Sequence, residues 1–333
     1  MRIAIDAMGG DYAPEEIVKG AVLAAREYNI GLQLVGQIDK IERELAKYNI
    51  DGLDIKLTQA DEIIEMGEAP AAALRRKKKA SIVVAVDAVA KGESQALVAA
   101  GSTGAAMAAS LFGLGRLPGI DRPVIACVMP TMEGPVVLVD AGANSTCEPH
   151  MLYQFAIMGS IFSKCVIGVD KPRVGILNIG EESSKGNELA VNAYKLFAEH
   201  KEALNFIGNV EGRELFMGAS DVIVCDGFVG NITLKVTEGV ARMVVKMLKD
   251  ELKKSWVAKL GALIARSALM NLKKKSDYSE YGGALLLGIN GSCVIAHGGS
   301  KYDAIKNAIR VAKESVEKDV NGKISEMYES NRL

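Results

Sequence analysis

A lysine held in a glycine-bearing loop, between an apolar run and a helix, is a place where a protein can bind an anion. Lys185 sits in such a stretch, RVGILNIGEESSKGNELAVNAY from Arg173 to Tyr194. Val174 to Leu177 reads as a strand, and Leu189, Ala193, Leu196 and Phe197 follow with helical spacing. Between them lie Glu181, Glu182, Ser183, Ser184, Lys185, Gly186 and Asn187. Free N–H groups and the helix dipole favour negative charge at such a helix start, and the lysine adds a full positive charge. Taken alone, the stretch reads first as an ordinary strand-to-helix connection with a solvated lysine.

Five further apolar runs end in the same way, in DAMGGD, AGSTG, DAGAN, CDGFVGN and AHGGS. Each offers Gly beside Asp, Asn, Ser, Thr or His, and open α/β sheets bind ligands outside the C-terminal ends of their strands. The six exits therefore predict a ligand cleft along one sheet edge. Neither GxGxxG nor GxxxxGK[ST] is present, so a small oxyanion such as phosphate fits these loops better than a dinucleotide. Asp6, Asp11, Asp140 and Asp226 could hold a metal, but Asp before Gly is also common turn chemistry and HExxH is absent. No metal and no cofactor are expected. His150 and His200 lie near helix ends, whereas His297 stands at a strand exit, as a site residue or as a loop cap.

The elements that must position these residues are read from periodicity. Apolar runs at Ile3 to Ile5, Leu32 to Val35, Ile55 to Leu57, Leu97 to Ala100, Val124 to Val128, Val136 to Val139, Val174 to Leu177, Phe206-Ile207, Val222 to Val224 and Val294 to Ala296 predict strands. Helices are expected between most of them, starting at Pro14, Ile38, Ser81, Gly101 to Gly104, Pro149 and Asn187, with a long one to Lys254 and a last one from Tyr302 to Lys318. The alternation predicts a mainly parallel, doubly wound α/β sheet with helices on both faces. Val124 to Val139 has no intervening helix, so part of the sheet is antiparallel or belongs to a second lobe. Residues 1–333 form one unit, with two lobes around a cleft as a variant of that reading.

The 333 residues, 49% hydrophobic and 24% charged, can bury a large core, and a net charge of −1 argues against a nucleic-acid binder. The five cysteines are scattered without metal spacing and read as reduced thiols in an intracellular protein. Met1 to Ile5 meets Asp6 at once, so no signal peptide is expected, and no apolar run is long enough to span a bilayer.

Read in order, DAMGGDYAP, RRKKKAS, AGSTGA, GIDRP, DAGAN, YQFAIMGS, PRVGILNIGEE with KGNE, NFIGNVEGREL, CDGFVGN, YGGALLLG and IAHGGS resemble the bacterial acyl-ACP:phosphate acyltransferases (PlsX) over nearly the whole chain. The resemblance implies a fold similar to isocitrate/isopropylmalate dehydrogenases and phosphotransacetylases. It implies a cytoplasmic homodimer, peripherally bound to the membrane, that converts acyl-ACP and orthophosphate to acyl-phosphate and acyl carrier protein in phospholipid synthesis. A membrane glycerol-3-phosphate acyltransferase would consume the product. Gly101-Ser102-Thr103-Gly104 departs from the family's GNTG, Val229 replaces Thr in DGFTGN, and Ser145-Thr146 replaces the end of GANVD. These changes spare backbone contacts and put side-chain contacts in question.

Phosphate is itself a nucleophile towards a thioester, so the chain need only desolvate it, align it and stabilise the oxyanion. Lys185 is expected to be the mobile cation, with Gly186 beside it, and Asn231, Asn144 and Thr103 to give hydrogen bonds. His297 completes the catalytic set. Gly9, Gly10, Gly227 and Gly298 allow close approach, and Asp6, Asp11, Ser102, Gly104, Asn187 and Asp226 border the phosphate. Arg75 to Lys79 is a basic run that suits an acidic carrier protein, or is a solvated helix face. Residues 253–275 read as an amphipathic helical insertion. Trp256, Val257, Leu260, Leu263 and Ile264 lie on one face, and Lys253, Lys254, Lys273, Lys274 and Lys275 flank it for an anionic membrane or a dimer contact. Leu269 and Leu272 leave that stripe and indicate a break. The competing functions are a CoA-dependent phosphate acetyl- or butyryltransferase of the same fold and a non-catalytic membrane-surface scaffold.

Overall fold

Short runs of Ile, Val, Leu and Ala buried on both faces make the strands here, and the polar residues that end each run start the next helix. The computed structural model describes residues 1–270 and 281–330. The first part alternates strictly: β1 (Arg2–Asp6), α1 (Glu15–Tyr28), β2 (Gly31–Gly36), α2 (Ile38–Leu45) and β3 (Ile55–Gln59). It continues with α3 (Pro70–Arg76), α4 (Ser81–Ala90), β4 (Ala96–Ala99) and α5 (Thr103–Leu114). A hairpin of β5 (Val124–Pro130) and β6 (Pro135–Val139) follows, then α6 (Pro149–Phe162), which ends in a single π turn over Ser163–Ile167.

The second part runs β7 (Val174–Asn178), α7 (Glu188–Glu199), α8 (Lys201–Leu204), β8 (Phe206–Glu211), β9 (Val222–Val224), α9 (Gly227–Lys253) and α10 (Trp256–Ile264). It closes with β10 (Ala284–Leu287), β11 (Ser292–Ile295), α12 (Tyr302–Glu317) and α13 (Val320–Ser330). Helix starts carry their own caps: Asp226 accepts from the Phe228 and Val229 amides, and Asn187 from that of Ala190. Pro14 is the cap residue of α1 and not its first helical residue. The α3, β10 and α13 segments lie outside the elements assigned from the sequence.

Among the described residues the strands form one sheet of eleven, in the order β3-β2-β1-β4-β11-β10-β5-β6-β9-β7-β8. The first five are mutually parallel, and so are β6, β9, β7 and β8. Between them β10 is antiparallel to both β11 and β5, and β5 to β6, so the two half-sheets run in opposite directions. The antiparallel component expected around Val124 to Val139 is present.

The single-edge cleft is not. Exits of β1, β4 and β11 leave at one edge, and those of β6, β7 and β9 at the opposed one. A stagger restores their proximity. Ile295, the last residue of β11, pairs with Ala284, while the next residue, Leu285, pairs with Ala126, which pairs with Val139 at the end of β6. The opposed exits therefore lie within one residue of the same level, over the central strands.

Helices cover both faces. One face packs α1, α2, α6, α7 and α12 around Tyr153, Phe155, Phe162 and Phe197, all fully buried. A fully buried side chain of this size contributes about 1.5–3 kcal/mol relative to exposure. The other face carries α4 and α5 over the first half-sheet, and the start of α9 over the second. Beyond Glu238, α9 is exposed almost throughout.

Candidate active site

The central strands and the two helices on the second face enclose a cavity of about 300 Å³. Its floor is Ile125, Cys127, Val128, Ala284 and Ile295; one wall is Thr103, Gly104 and Met107 of α5, the other Asn231, Leu234, Lys235 and Glu238 of α9. Gly142 and His297 close it from the two opposed sets of strand exits. Helix α5 begins at this cavity, whereas α9 presents its flank to it, with Asn231 in its second turn; the first-turn amides of α9 are taken by Asn144 and Asp226. Imidazole Nδ1 of His297 accepts the Gly299 amide at 3.0 Å. That bond leaves Nε2–H as the donor of the neutral ring.

The loop after β6 is built on Asp140, which is fully buried. Its Oδ1 accepts the amides of Ile125 (3.2 Å), Gly142 (3.0 Å) and Ala143 (2.9 Å), and its Oδ2 accepts the Asn144 amide (2.7 Å) and Nδ2 (2.9 Å). Burial raises the Asp140 carboxyl above its ordinary range, and these hydrogen bonds pull it back. The result holds Gly142, at φ 140°, beside the Asn231 side chain, and the Asn144 carbonyl accepts the Gly227 amide at 2.7 Å. Asn144 was expected to give its side-chain amide to a ligand. Instead Nδ2 is committed to Asp140 and the Pro123 carbonyl, so its contribution is to hold the start of α9.

Lys185 lies on the far flank of α9. Gly186, Asn187 and Asp226 line a second cavity of about 730 Å³, with Asn178, Ile179, Arg213, Val229 and Thr233. Asn178 Nδ2 donates to the Lys185 carbonyl at 3.0 Å, and Asn209 Nδ2 to that of Glu182 at 2.9 Å. These bonds fix the loop backbone and leave the Lys185 side chain exposed. Glu181 approaches Arg213 at 4.0 Å, and neither Glu181 nor Glu182 forms an ion pair with Lys185 among the described residues. Lys185, Gly186 and Asn187 thus sit apart from Asn231, Thr103 and His297, with the first turns of α9 between them.

The remaining glycine-rich exit folds onto itself. Asp6 is buried, which raises its carboxyl, while hydrogen bonds from Ser81, Met8 and Gly9 oppose the rise. The Asp11 amide donates to the Gly298 carbonyl at 2.8 Å, and Gly9 packs against Gly101. Ser102 caps α5 through the Ala105 amide at 3.4 Å. Asp6, Gly9, Gly10, Ser102 and Gly298 therefore shape the approach of β1, β4 and β11 and do not line the larger cavities, while Asp11 is exposed beside them. Among the described residues no group of three or more His, Cys, Asp or Glu side chains is placed to hold a metal.

Two wall residues, Lys235 and Glu238, belong to none of the sequence motifs. Glu238 is buried, and Lys235 approaches its carboxylate at 3.1 and 3.3 Å, Arg242 at 3.0 Å. The i, i+3 and i, i+4 spacing was visible, but not which face of α9 turns inward. At the tip, Trp256, Val257, Leu260, Leu263 and Ile264 are exposed on α10, and the helix breaks at Ala265. Leu272, Lys273, Lys274 and Lys275 lie outside the described residues. No helix among those described is long and apolar enough to cross a membrane.

A family model described as fatty acid synthesis protein matches residues 1–323. A phosphate acyltransferase of Pelotomaculum thermopropionicum is 56% identical over 317 residues, covering 95% of this chain and 92% of its own. One from Heliobacterium modesticaldum is 56% identical over 327 residues, covering 98% and 97%. In structure, a phosphotransacetylase from Streptococcus pyogenes matches with a TM-score of 0.61 at 18% identity, over 95% of this chain and 94% of that one. A putative 4-hydroxythreonine-4-phosphate dehydrogenase from Salmonella typhimurium matches at 0.50 and 15%, over 94% and 99%. These last two speak to the fold alone.

Proposed function

The chain belongs to the fatty acid synthesis protein family, and on that premise we propose that it is a phosphate acyltransferase making acyl-phosphate for phospholipid synthesis. The observation that carries the reading is the cavity between α5 and α9. It brings Thr103 at the start of α5, Asn231 on the flank of α9 and His297 together over an apolar floor. Orthophosphate bound there meets an acyl thioester whose carbonyl lies against that floor. A phosphate oxygen forms the new C–O bond, the carbonyl pair moves to oxygen, and collapse of the tetrahedral adduct breaks the C–S bond. The proton lost by phosphate goes to the departing sulfur. Positioning contributes about 7–11 kcal/mol in well-oriented cases, and a preorganised oxyanion donor about 3–4 kcal/mol.

Lys185 is the mobile cation of this reading: it starts beside the second cavity, on the far flank of α9, and its exposed side chain has to swing round the helix start towards the charge that develops in the first. Its exposed side chain and the left-handed Gly186 (φ 100°) after it support the assignment. The donor is acyl-ACP, and a membrane glycerol-3-phosphate acyltransferase takes the product. Homodimer assembly is supported by the uncovered stripe of Val236, Val240, Met243, Val244 and Met247 on α9. Peripheral membrane contact is supported by Trp256, Val257, Leu260 and Ile264 at its tip. Flotation with anionic vesicles after changing Trp256 and Leu260 to polar residues tests the last point, and unchanged binding defeats it.

The deciding experiment traps acyl-phosphate with hydroxylamine, offering acyl-ACP and acyl-CoA side by side. Formation from acyl-ACP, lost in Lys185→Ala and Asn231→Ala with folding intact, is the expected result. Near-normal product from Lys185→Ala removes that residue from the mechanism. Turnover with short acyl-CoA alone replaces the reading with a CoA-dependent phosphate acetyl- or butyryltransferase, which the phosphotransacetylase-like fold also accommodates.

A further inference from the structure

Residues 75 to 79 are basic without exception, yet the fold disposes of them unequally. Arg76 and Lys77 both pair with Glu68, and Lys79 approaches Asp61 at 3.6 Å. Arg75 and Lys78 form no ion pair among the described residues, and both are exposed. These two cations line the same feature, a groove of about 580 Å³ between α3, α4 and α5. Its floor is apolar, with Leu74, Val83 and Ala109, and Phe112 stands 75% exposed on its wall. The single carboxylate there, Asp87, is already neutralised by Lys91 at 2.5 Å. The groove thus joins two uncompensated positive charges to an open apolar surface.

Its position relates it to the cavity. Pro70, the first residue of α3, touches Gly104 in the first turn of α5, and Gly104 with Thr103 forms one wall of the cavity. From Thr103, α5 runs to Phe112 over nine residues, about 14 Å at 1.5 Å per residue. A partner held in the groove has its near end at the cavity mouth.

We infer that this groove is the docking site of the acyl carrier protein, which seats an acidic, partly apolar surface on Arg75, Lys78 and Phe112 while its thioester reaches the cavity. The inference rests on acyl-ACP as the donor. Charge complementarity selects this occupant. Two unpaired cations steer an acidic protein and raise its encounter rate, and an exposed aromatic at the centre of the contact is the kind of residue that carries binding energy.

The test measures acyl-phosphate formation from palmitoyl-ACP by Arg75→Glu/Lys78→Glu, Phe112→Ser and, as a charge control, Arg76→Gln, with melting curves to verify folding. The double reversal is expected to raise KM for palmitoyl-ACP at least tenfold with kcat within about twofold. Phe112→Ser is expected to raise it about fivefold, and the control less than twofold. Added salt should raise KM in the native protein and lower it in the double reversal, where it screens a repulsion. If the native protein turns over palmitoyl-ACP and the variants keep its KM, the docking inference alone fails. If the native protein does not use palmitoyl-ACP, the donor reading fails and takes the inference with it. Unchanged KM with lost binding to phosphatidylglycerol vesicles, or with a changed oligomer size by light scattering, reassigns the groove to a membrane or to a second copy.

Discussion

Asp140 lies outside both cavities, yet it should be the most sensitive acidic residue in the chain. Replacing it by Ala removes an acceptor from four backbone amides, those of Ile125, Gly142, Ala143 and Asn144, and from one arm of the Asn144 side chain. An orphaned buried donor costs about 1–3 kcal/mol, and relief of a buried charge and water entry near the cavity push towards the lower limit. Four amides at about 1 kcal/mol each give a loss of about 4 kcal/mol. Asp140→Asn keeps the three bonds to Oδ1 but sets an NH₂ against the Asn144 donors, for about 2 kcal/mol. At about 2.1 cal/mol/K per residue, 333 residues unfold with an entropy near 0.7 kcal/mol/K, so the expected drops in Tm are about 6 and 3 °C. Differential scanning calorimetry reads them directly. At 25 °C, where both variants remain folded, kcat/KM should fall at least tenfold, because the loop no longer fixes Gly142 beside Asn231 and the Asn144 carbonyl no longer holds Gly227. A Tm within 1 °C of the native protein, or an Asn variant less stable than the Ala variant, refutes the reasoning.

Gly230 faces the Asp140 carbonyl so closely that a Cβ would overlap it. Gly230→Ala should therefore lose about 3 kcal/mol from overpacking despite the better helix propensity of Ala, a fall in Tm of about 4 °C; an unchanged Tm contradicts the close approach. Burial raises the thiols of Cys127 and Cys147 to about 12, that of Cys293 to about 11, and that of Cys225 well above its ordinary value. A disulfide-exchange reagent at pH 8 should leave these four unreacted until denaturant is added, and a burst of two or more of them in the native protein counts against it. Burial raises the Asp221 carboxyl, but the Arg173 hydrogen bonds outweigh it and hold the group below 3.8 when folded. That contribution is complete above pH 3.8 and disappears as pH falls through the lowered value, so Arg173→Gln should flatten the stability curve between about pH 4 and the acid limit. An identical acid profile excludes the linkage.

What could be read from the sequence was local. Strands such as Val136 to Val139 declared themselves because they are buried on both faces, and their exits because Gly and Asp end an apolar run. The direction of each strand was not legible, since it depends on pairings between residues such as Ala126 and Leu285 that are far apart in the chain. The six exits share a composition that the sequence displays, but they do not share an edge. β10 is only ALLL between glycines, too short to separate strand from helix by periodicity. The basic run was visible, but not that Glu68 and Asp61 would occupy three of its members and leave Arg75 and Lys78. Lys235 and Glu238 were hidden in a helix whose later turns are nearly all exposed, where no period marks the one buried turn.

The central placement of β10 and β11 sets the order in which a ribosome can deliver this enzyme. β4 and β5 leave the exit tunnel early, each at the open edge of a half-sheet, and their missing neighbours are not synthesised until Ala284 to Ile295. At about 5–20 residues per second, the edge of β4 waits roughly 10–40 s for its partner. Two apolar strand edges are exposed on the nascent chain through that interval, which is the condition under which holdase chaperones act and truncated chains aggregate. Since Ala284 and Ile295 also floor the cavity, no shortened product that stops before them encloses it, and on the proposed function activity would begin only when the final segment joins the two half-sheets.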